Sequence, residues 1–347
     1  NDSLVMNDSV APAFTAFVGI DVSKQTLDWT LLVEGKIRLQ KQTANTAAAI
    51  EAILSELTTA HPVAQTLFCL EHTGIYQSFL LQTLHAHACP IWLESALRIN
   101  HSMGIVRGKS DAMDAVRIAR YAYKHHSDAR LWQPQSQTLT RLSHLAALRE
   151  RLLQSQTALR TAFCEQQPYL TGQLNAELEP TAAELEHHSR RTLTALDKDL
   201  KDIEAKIRKV INQDEHLKEL FDNLTSIPGI GPVTATEMIL TTKEFTAFDT
   251  PGQFACYSGV APFPYQSGTS LRGRKRVSLK ANKHIKTRLH LAAMSAIRLK
   301  GKIRDFYLKK LAEGKSKMCA LNAVRNKLIH LMFALARKNQ KYDPSYA

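Results

Sequence analysis

The sequence predicts an α/β domain with a mixed β-sheet, followed by helices and a mainly helical carboxy-terminal domain. Three observations lead to this fold class: strand and helix patterns alternate near the amino terminus, a leucine and isoleucine seam follows, and basic residues dominate the end of the chain. A length of 347 residues fits two or three domains. We therefore expect four regions, namely an irregular tail (1–13), the α/β domain (14–135), coiled-coil helices (136–222) and the carboxy-terminal domain (223–347).

The order of elements in the first domain predicts the sheet topology. The stretch FVGIDVSKQTLDWTLLV indicates two strands joined by a polar turn, and KIRLQKQTA adds a third. A helix in TAAAIEAILSELTTA, a strand in TLFCLE, a helix from Tyr76 and a strand in PIWLE follow. A β-meander followed by βαβ crossovers is typical of a mixed sheet flanked by helices, as in the ribonuclease H-like fold.

A heptad seam predicts the coiled coil. Its apolar residues are spaced alternately by three and four positions: Leu193, Leu196, Leu200, Ile203, Ile207 and Val210. An earlier helix carries Leu142, Leu145, Leu148, Leu152 and Leu159, and we expect breaks at Pro168, Gly172 and Pro180. The two helices can pair within one chain or between two chains, and the apolar pattern is compatible with both arrangements.

The distribution of charge favours a nucleic-acid partner. The net charge is +13, but residues 223–347 hold 22 Lys and Arg against 6 Asp and Glu, whereas the rest of the chain is slightly acidic. Eight basic residues form the densest run: Arg272, Arg274, Lys275, Arg276, Lys280, Lys283, Lys286 and Arg288. Because acids do not intersperse this run, a polyphosphate ligand is favoured over an ordinary solvated face. No apolar stretch is long enough to span a membrane, and we expect a cytoplasmic protein.

A glycine-rich turn supplies a second nucleic-acid signal. In SIPGIGPVTA, Gly229 and Gly231 separate two helical patterns, so backbone N–H groups at the start of the second helix could face a phosphate. A tight structural turn explains the same residues. The pattern resembles a helix-hairpin-helix reader of the DNA backbone.

Four carboxylates are candidates for a metal site. Asp21 follows the apolar strand FVGI and Glu71 follows TLFCL, while Asp111 and Asp114 lie three residues apart, on one face of a helix. Acids after Ser110 also describe an ordinary helix start. If the four side chains converge at one sheet edge, their hard oxygen atoms suit Mg²⁺, and two ions could stabilise both oxygens of a phosphodiester under attack.

Five ordered motifs resemble those of the DEDD transposases of bacterial insertion sequences, which are related to the Piv and MooV DNA invertases. The motifs are GIDVSKQTLD, EHTGIY, KSDAMDA, SIPGIGPVTA and YSGVAPFPYQSGTSLRG. The resemblance implies a RuvC-like domain that binds Mg²⁺ (or Mn²⁺) through the four carboxylates, and a second catalytic domain in which Ser267 is the nucleophile. It also implies donor and target DNA, a structured noncoding guide RNA that pairs with both, and a homo-oligomer (dimer or tetramer) in a bacterial cytoplasm.

The residues themselves leave the nucleophile and the reaction open. Without the resemblance, Tyr257, Tyr265 and Ser270 are as good candidates as Ser267, which we place in a flexible turn before the basic run. With it, we expect a recombinase in which Ser267 works together with the carboxylates. The alternatives are a RuvC-like metal-dependent endonuclease or junction resolvase, in which the carboxylates act alone, and a non-enzymatic nucleic-acid-binding protein.

Overall fold

The computed structural model describes residues 14–72, 74–102, 111–170, 179–267, 271–277 and 281–346. The chain divides into two compact units, Asn1–Pro134 and Gln135–Ala347. Each unit has its own buried apolar residues. In the described ranges, no helix is long and apolar enough to cross a membrane.

The first unit is built on a five-stranded sheet. Its strands are β1 (Ala16–Val22), β2 (Thr26–Val33), β3 (Lys36–Ala44), β4 (Thr66–Glu71) and β5 (Ile91–Glu94). Their order is β3-β2-β1-β4-β5; β2 is antiparallel to β1 and β3, whereas β4 is parallel to β1 and β5. The predicted mixed sheet of the ribonuclease H-like class is confirmed.

Helices cover both faces of this sheet. They are α1 (Ala47–Ala60), α2 (Ser78–Ala86), α3 (Ala96–Ser102) and α4 (Asp111–His125). Val18 and Ile20 of β1 pack with buried residues of α1 and α2, while Phe17 packs with residues of α3 and α4. Because side chains alternate along a strand, Gly19 and Asp21 lie on the face that α4 covers.

The second unit begins with two long helices, α5 (Gln137–Leu170) and α6 (Glu179–Asn212), that pair within the chain. Arg149 bonds Glu204, and Arg160 bonds Asp197. One expectation was wrong, because Pro168 lies inside α5 rather than at a break. Of the leucines that the sequence places on this helix, Leu148 and Leu159 are exposed.

The remaining elements form a helical body with one β-hairpin. They are α7 (Glu215–Thr225), α8 (Pro232–Thr242), α9 (Pro251–Tyr257), β6 (Pro262–Ser267), β7 (Leu271–Val277), α10 (Lys283–Ala296), α11 (Lys302–Ala312) and α12 (Lys317–Lys338). Val324, Leu328 and Phe333 of α12 are fully buried in the body. Leu142 of α5 and Val210 of α6 belong to the same core, so the base of the helical pair is anchored in this body.

Candidate active site and nucleic-acid interface

The register of the sheet brings carboxylates together at the carboxyl end of β1 and β4. Ile20 pairs with Leu70 in the parallel ladder, so Asp21 and Glu71 are the next residues on two neighbouring strands. Asp21 also pairs with Asp28 of β2, and Glu71 pairs with Glu94 of β5. Four acids therefore cross the sheet in one row, on one face.

The other two predicted carboxylates belong to α4, which lies directly on β1. A Cβ atom at Gly19 would stand 2.2 Å from the backbone N of Ala119 and 2.3 Å from the backbone O of Ala115. Only glycine permits such a close approach of helix and strand. Asp111 and Asp114 occupy the first turn of α4, immediately before Ala115, on the part of the helix nearest the end of β1.

The pKa of Asp21 is raised by its position among these acids. Burial raises the pKa of Asp21, and the negative charges of Asp114, Asp111, Glu71 and Asp28 raise it further, to about 6. Like charges disfavour ionisation of a neighbouring acid, and a cation removes that penalty. The other three predicted site residues thus each oppose the ionisation of Asp21.

The donor set fits a divalent cation by its chemistry, since hard oxygen ligands suit Mg²⁺ and Mn²⁺. Asp114 accepts a short hydrogen bond from Arg117, one turn further along α4. Within the described ranges, no three His, Cys, Asp or Glu side chains stand close enough together to hold an ion as placed. Ser110, the expected cap of α4, lies outside the described residues.

Asp28 and Glu94 are residues that the sequence reasoning missed, and both are buried and held by donors. Gln42 Nε2 lies 3.2 and 3.1 Å from the two carboxylate oxygens of Asp28. The Ser95 N–H donates to Glu94 over 2.7 Å, and the Tyr121 hydroxyl of α4 donates to it over 3.2 Å. The signal for Glu94 was present, because it closes PIWLE as Glu71 closes TLFCLE.

Glu94 thereby connects α4 to the edge of the sheet. Tyr121 is largely buried, and its ring packs 5.1 Å from that of Trp92, two residues before Glu94. Burial and the adjacent Glu94 carboxylate raise the pKa of Tyr121 to about 12, so its hydroxyl remains a donor. The contact fixes α4, which carries Asp111 and Asp114.

The predicted nucleophile lies in a β-hairpin in the second unit. Ser267 is the last residue of β6 and pairs with Leu271 of β7, so it belongs to a strand end rather than to the flexible turn that we expected. Basic residues line the partner strand: Gln266 pairs with Arg272 and Phe263 pairs with Arg276. Arg274 and Lys275 also lie in β7. Lys280 lies outside the described residues.

The two glycines of the PGIG turn have different environments. Gly229 has a φ of +91°, and a Cβ atom there would stand 2.5 Å from the backbone O of Ala292 in α10. Gly231 precedes α8, and no atom of the described residues lies within 4 Å of its Cβ position. Gly229 is therefore required for packing, whereas the backbone at Gly231 is open to a ligand.

The basic residues of α10 are also not equivalent. Arg288 is largely buried and lies 2.6 Å from the Glu150 carboxylate of α5, so its charge is neutralised within the chain. Lys283 is exposed and Lys286 is half-buried. The two lysines are thus better placed than Arg288 to meet a nucleic acid.

Two family models match the chain in the order of its units. A model described as "Transposase", of the DEDD type found in IS110 elements, matches residues 18–166, and one described as "Transposase IS116/IS110/IS902 family" matches residues 221–308. Together the two matches span well over half of the chain. The chain belongs to the DEDD transposases of insertion sequences. It is accordingly a DNA transposase or recombinase, as its sequence motifs predicted.

Individual relatives agree with this family. The transposase is 25% identical to the pilin gene-inverting protein of Moraxella lacunata over 94% of its own length and 97% of the relative's. It is 30% identical to an uncharacterized 43.6 kDa protein of insertion element IS110 from Streptomyces coelicolor, over 44% of this chain and 36% of that protein. Among solved structures, RuvC of T. thermophilus in complex with a Holliday junction substrate matches 34% of this chain and 99% of its own, with 11% identity and a TM-score of 0.27.

Proposed function

We propose that this transposase cuts and rejoins DNA through a covalent intermediate on Ser267, and that Asp21, Glu71, Asp111 and Asp114 hold Mg²⁺ or Mn²⁺ for the same reaction. The observation that carries the metal site is the environment of Asp21, whose ionisation is opposed by the other three predicted carboxylates. In a protein that only binds nucleic acid, acids facing a phosphate would repel it unless a cation lay between them.

The position of Ser267 supports its role as nucleophile. It ends β6 opposite a strand whose Lys and Arg residues can neutralise a phosphodiester. In the proposed step, a bond forms between the serine Oγ and phosphorus, and the bond from phosphorus to one deoxyribose oxygen breaks. The serine proton passes to a base, and the released sugar oxygen takes up a proton. Attack by a deoxyribose hydroxyl of another strand reverses these changes and rejoins the DNA.

A serine hydroxyl is a weak nucleophile at neutral pH, and the carboxylates would assist it by holding a divalent ion at the phosphodiester. A bound divalent ion would stabilise charge on the oxygens of the phosphodiester. Asp21, Glu71 and Asp111 would orient that ion from two strands and one helix, and the Tyr121 contact with Glu94 keeps the helix in place. The basic body would position the DNA and a structured guide RNA, in an oligomer of two or four chains, as in the family that the motifs resemble.

The test is a trapping experiment with end-labelled donor and target DNA in the presence of the co-purifying RNA. We expect wild-type protein with Mg²⁺ to yield a protein–DNA adduct that survives denaturation. Ser267→Ala should abolish the adduct, whereas Ser270→Ala, three residues away, should retain it. DNA that is cut without any adduct would contradict the serine mechanism and support hydrolysis by the carboxylates alone.

RNA guidance has its own test. RNA that co-purifies with the transposase should contain segments complementary to both donor and target DNA. Changing one such segment, with the protein unchanged, should redirect the recombination to the matching sequence. Unchanged target choice would contradict guidance by RNA.

A further inference from the structure

Arg325 is a buried cation whose partners are all neutral. It lies in α12 with 5% of its surface exposed. Its Nη2 atom lies 2.7 Å from Nδ1 of His290, and its Nη1 atom donates to Oδ1 of Asn322 over 3.3 Å. Its Nε atom is buried and has no hydrogen-bond partner among the residues that the structure describes. Because a guanidinium only donates, Nδ1 of His290 must accept, and the imidazole is neutral.

The absence of an acid sets Arg325 apart from the other largely buried arginines of this unit. Arg149 lies 2.7 Å from Glu204 and Arg288 lies 2.6 Å from Glu150, whereas no acid of the described ranges forms an ion pair with Arg325. Burial lowers the pKa of Arg325, and no negative charge in the described part of the chain offsets this effect. A buried charge without a counter-ion is costly to folding, so an anion that reached Arg325 would relieve that cost.

The surroundings of Arg325 connect it to the hairpin and to the surface. Asn322, which accepts from Arg325, donates through its own amide to the backbone O of Val260 over 2.8 Å. Val260 is the second residue before β6 begins. On α10, Lys283 and Lys286 precede His290 by seven and four residues, so the three share one stripe of the helix. The stripe runs from exposed Lys283 to the buried guanidinium.

We propose that Arg325 and His290 bind a phosphate group of a nucleic-acid backbone, at the inner end of the basic stripe on α10. The phosphate would accept hydrogen bonds from the free guanidinium N–H groups and from the imidazole. It would lie next to the segment that leads into β6 and Ser267. The identity of the anion as a nucleic-acid phosphate rests on the proposed function, whereas the existence of an anion site does not.

Inorganic phosphate is the probe for this site. At constant ionic strength, replacing chloride by phosphate should raise the melting temperature of the full-length protein by about 3–5 °C once phosphate exceeds its Kd about tenfold. Arg325→Met, which keeps the bulk of the side chain, should remove the shift, and Arg325→Lys should retain part of it. Arg298→Met, which removes an exposed arginine just after α10, should leave the shift intact.

The melting temperature without phosphate separates a binding role from a purely structural one. Since Arg325→Met removes an uncompensated buried charge, it should melt at the same temperature as the wild type or higher. A phosphate shift in Arg325→Met equal to that of the wild type, or no shift in the wild type, would overturn the proposal. If Arg325→Met does not fold, half-buried His290→Ala serves instead, and an undiminished shift in that variant would overturn the proposal equally.

Adduct formation distinguishes this inference from the proposed function. Ser267→Ala should lose the DNA adduct and keep the phosphate shift. Arg325→Met should lose the phosphate shift and lower the adduct yield at least tenfold at limiting DNA. A wild-type protein that responds to phosphate but forms no adduct would refute the proposed function and leave the anion site standing.

Discussion

At the scale of single residues, Asp21 shows the electrostatic cost of bringing acids together at the predicted metal site. Its pKa rises from 3.8 to about 6 in the folded, metal-free protein. The folded protein therefore binds a proton that the unfolded chain releases between these pH values. Stability should fall as the pH rises from 3.8 to about 6, and the loss should persist above pH 6.

Replacing Asp21 by Asn should remove this penalty. In EDTA near neutral pH, we expect Asp21→Asn to be more stable than wild type, because the neutral amide is not repelled by the neighbouring acids. The expected gain is about 1–2 kcal/mol, since solvent screens part of the repulsion. Thermal unfolding across the acid pH range measures this difference in stability. The control is Asp305→Asn, which replaces an exposed acid of α11. A lower melting temperature for Asp21→Asn would contradict the account.

Addition of Mg²⁺ should reverse the order of stability of wild type and Asp21→Asn. A cation that binds only the folded state stabilises it, so millimolar Mg²⁺ or Mn²⁺ should raise the melting temperature of the wild type and have little effect on Asp21→Asn. Equal shifts in the two proteins would place the ion elsewhere.

Residue-scale prediction from sequence was incomplete for a physical reason. Asp21 and Glu71 were predictable because each closes an apolar strand. Glu94 closes an apolar strand in the same way and was overlooked, whereas Asp28 joins the row only through the pairing register of β2, which depends on contacts that are distant in sequence. Similarly, nothing in the charge pattern shows that Arg288 is neutralised by Glu150, which lies 138 residues away.

At the scale of elements, the contact between β1 and α4 positions the site. Gly19→Ala would force a methyl group into the backbone of Ala115 and Ala119. We expect a loss of stability of about 3 kcal/mol or more and weaker Mg²⁺ binding, because the helix that carries Asp111 must move away. Chemical denaturation and Mg²⁺ titration measure both effects.

A glycine in an open position is the matched control. At Gly252 in α9, an added Cβ atom would meet only Thr250 Oγ1, at 3.8 Å. Gly252→Ala should therefore change stability by less than about 1 kcal/mol. If Gly19→Ala is equally mild, the helix is not as close to the strand as described.

The PGIG turn offers a second matched pair of variants. Gly229→Ala meets both a positive φ and the backbone of α10, so it should destabilise the helical body strongly. Gly231→Ala should fold normally and should alter only nucleic-acid affinity. Thermal unfolding and DNA titration separate the two effects, and the reverse order would contradict the assignment of packing to Gly229.

Elements were predicted well where periodicity alone decides them. The five strands and the leading helices of the first unit follow from apolar patterns. The exposure of Leu148 and Leu159 on α5 could not be predicted, because a leucine pattern does not reveal where a partner helix stops covering the side chains. The strand character of residues 271–277 was missed, because a run of charged residues gives no apolar alternation.

At the scale of the whole molecule, basic residues of the second unit should dominate nucleic-acid affinity. Each phosphate that they neutralise releases counterions, so affinity should fall steeply with salt. Replacing Arg274, Lys275 and Arg276 together by Ala should reduce the slope of log affinity against log salt by about 2–3. Arg298→Met should change it little, and an unchanged slope in the triple variant would move the binding face elsewhere.

The two sets of catalytic residues should be able to come from different chains of an oligomer. Ser267→Ala and Asp21→Ala should each be inactive alone. If protomers share one reaction, a mixture of the two variants should recover part of the recombination activity. Without recovery, both sets must act within one chain.

Identification of the amino acid that becomes linked to DNA tests the central claim most directly. The trapped adduct should be digested with nuclease and protease and its modified peptide sequenced by mass spectrometry. We predict a nucleotide on Ser267, formed only when Mg²⁺ or Mn²⁺ is present and lost in Asp21→Asn. A nucleotide on another residue, or on Ser267 in the absence of any divalent cation, would contradict the account.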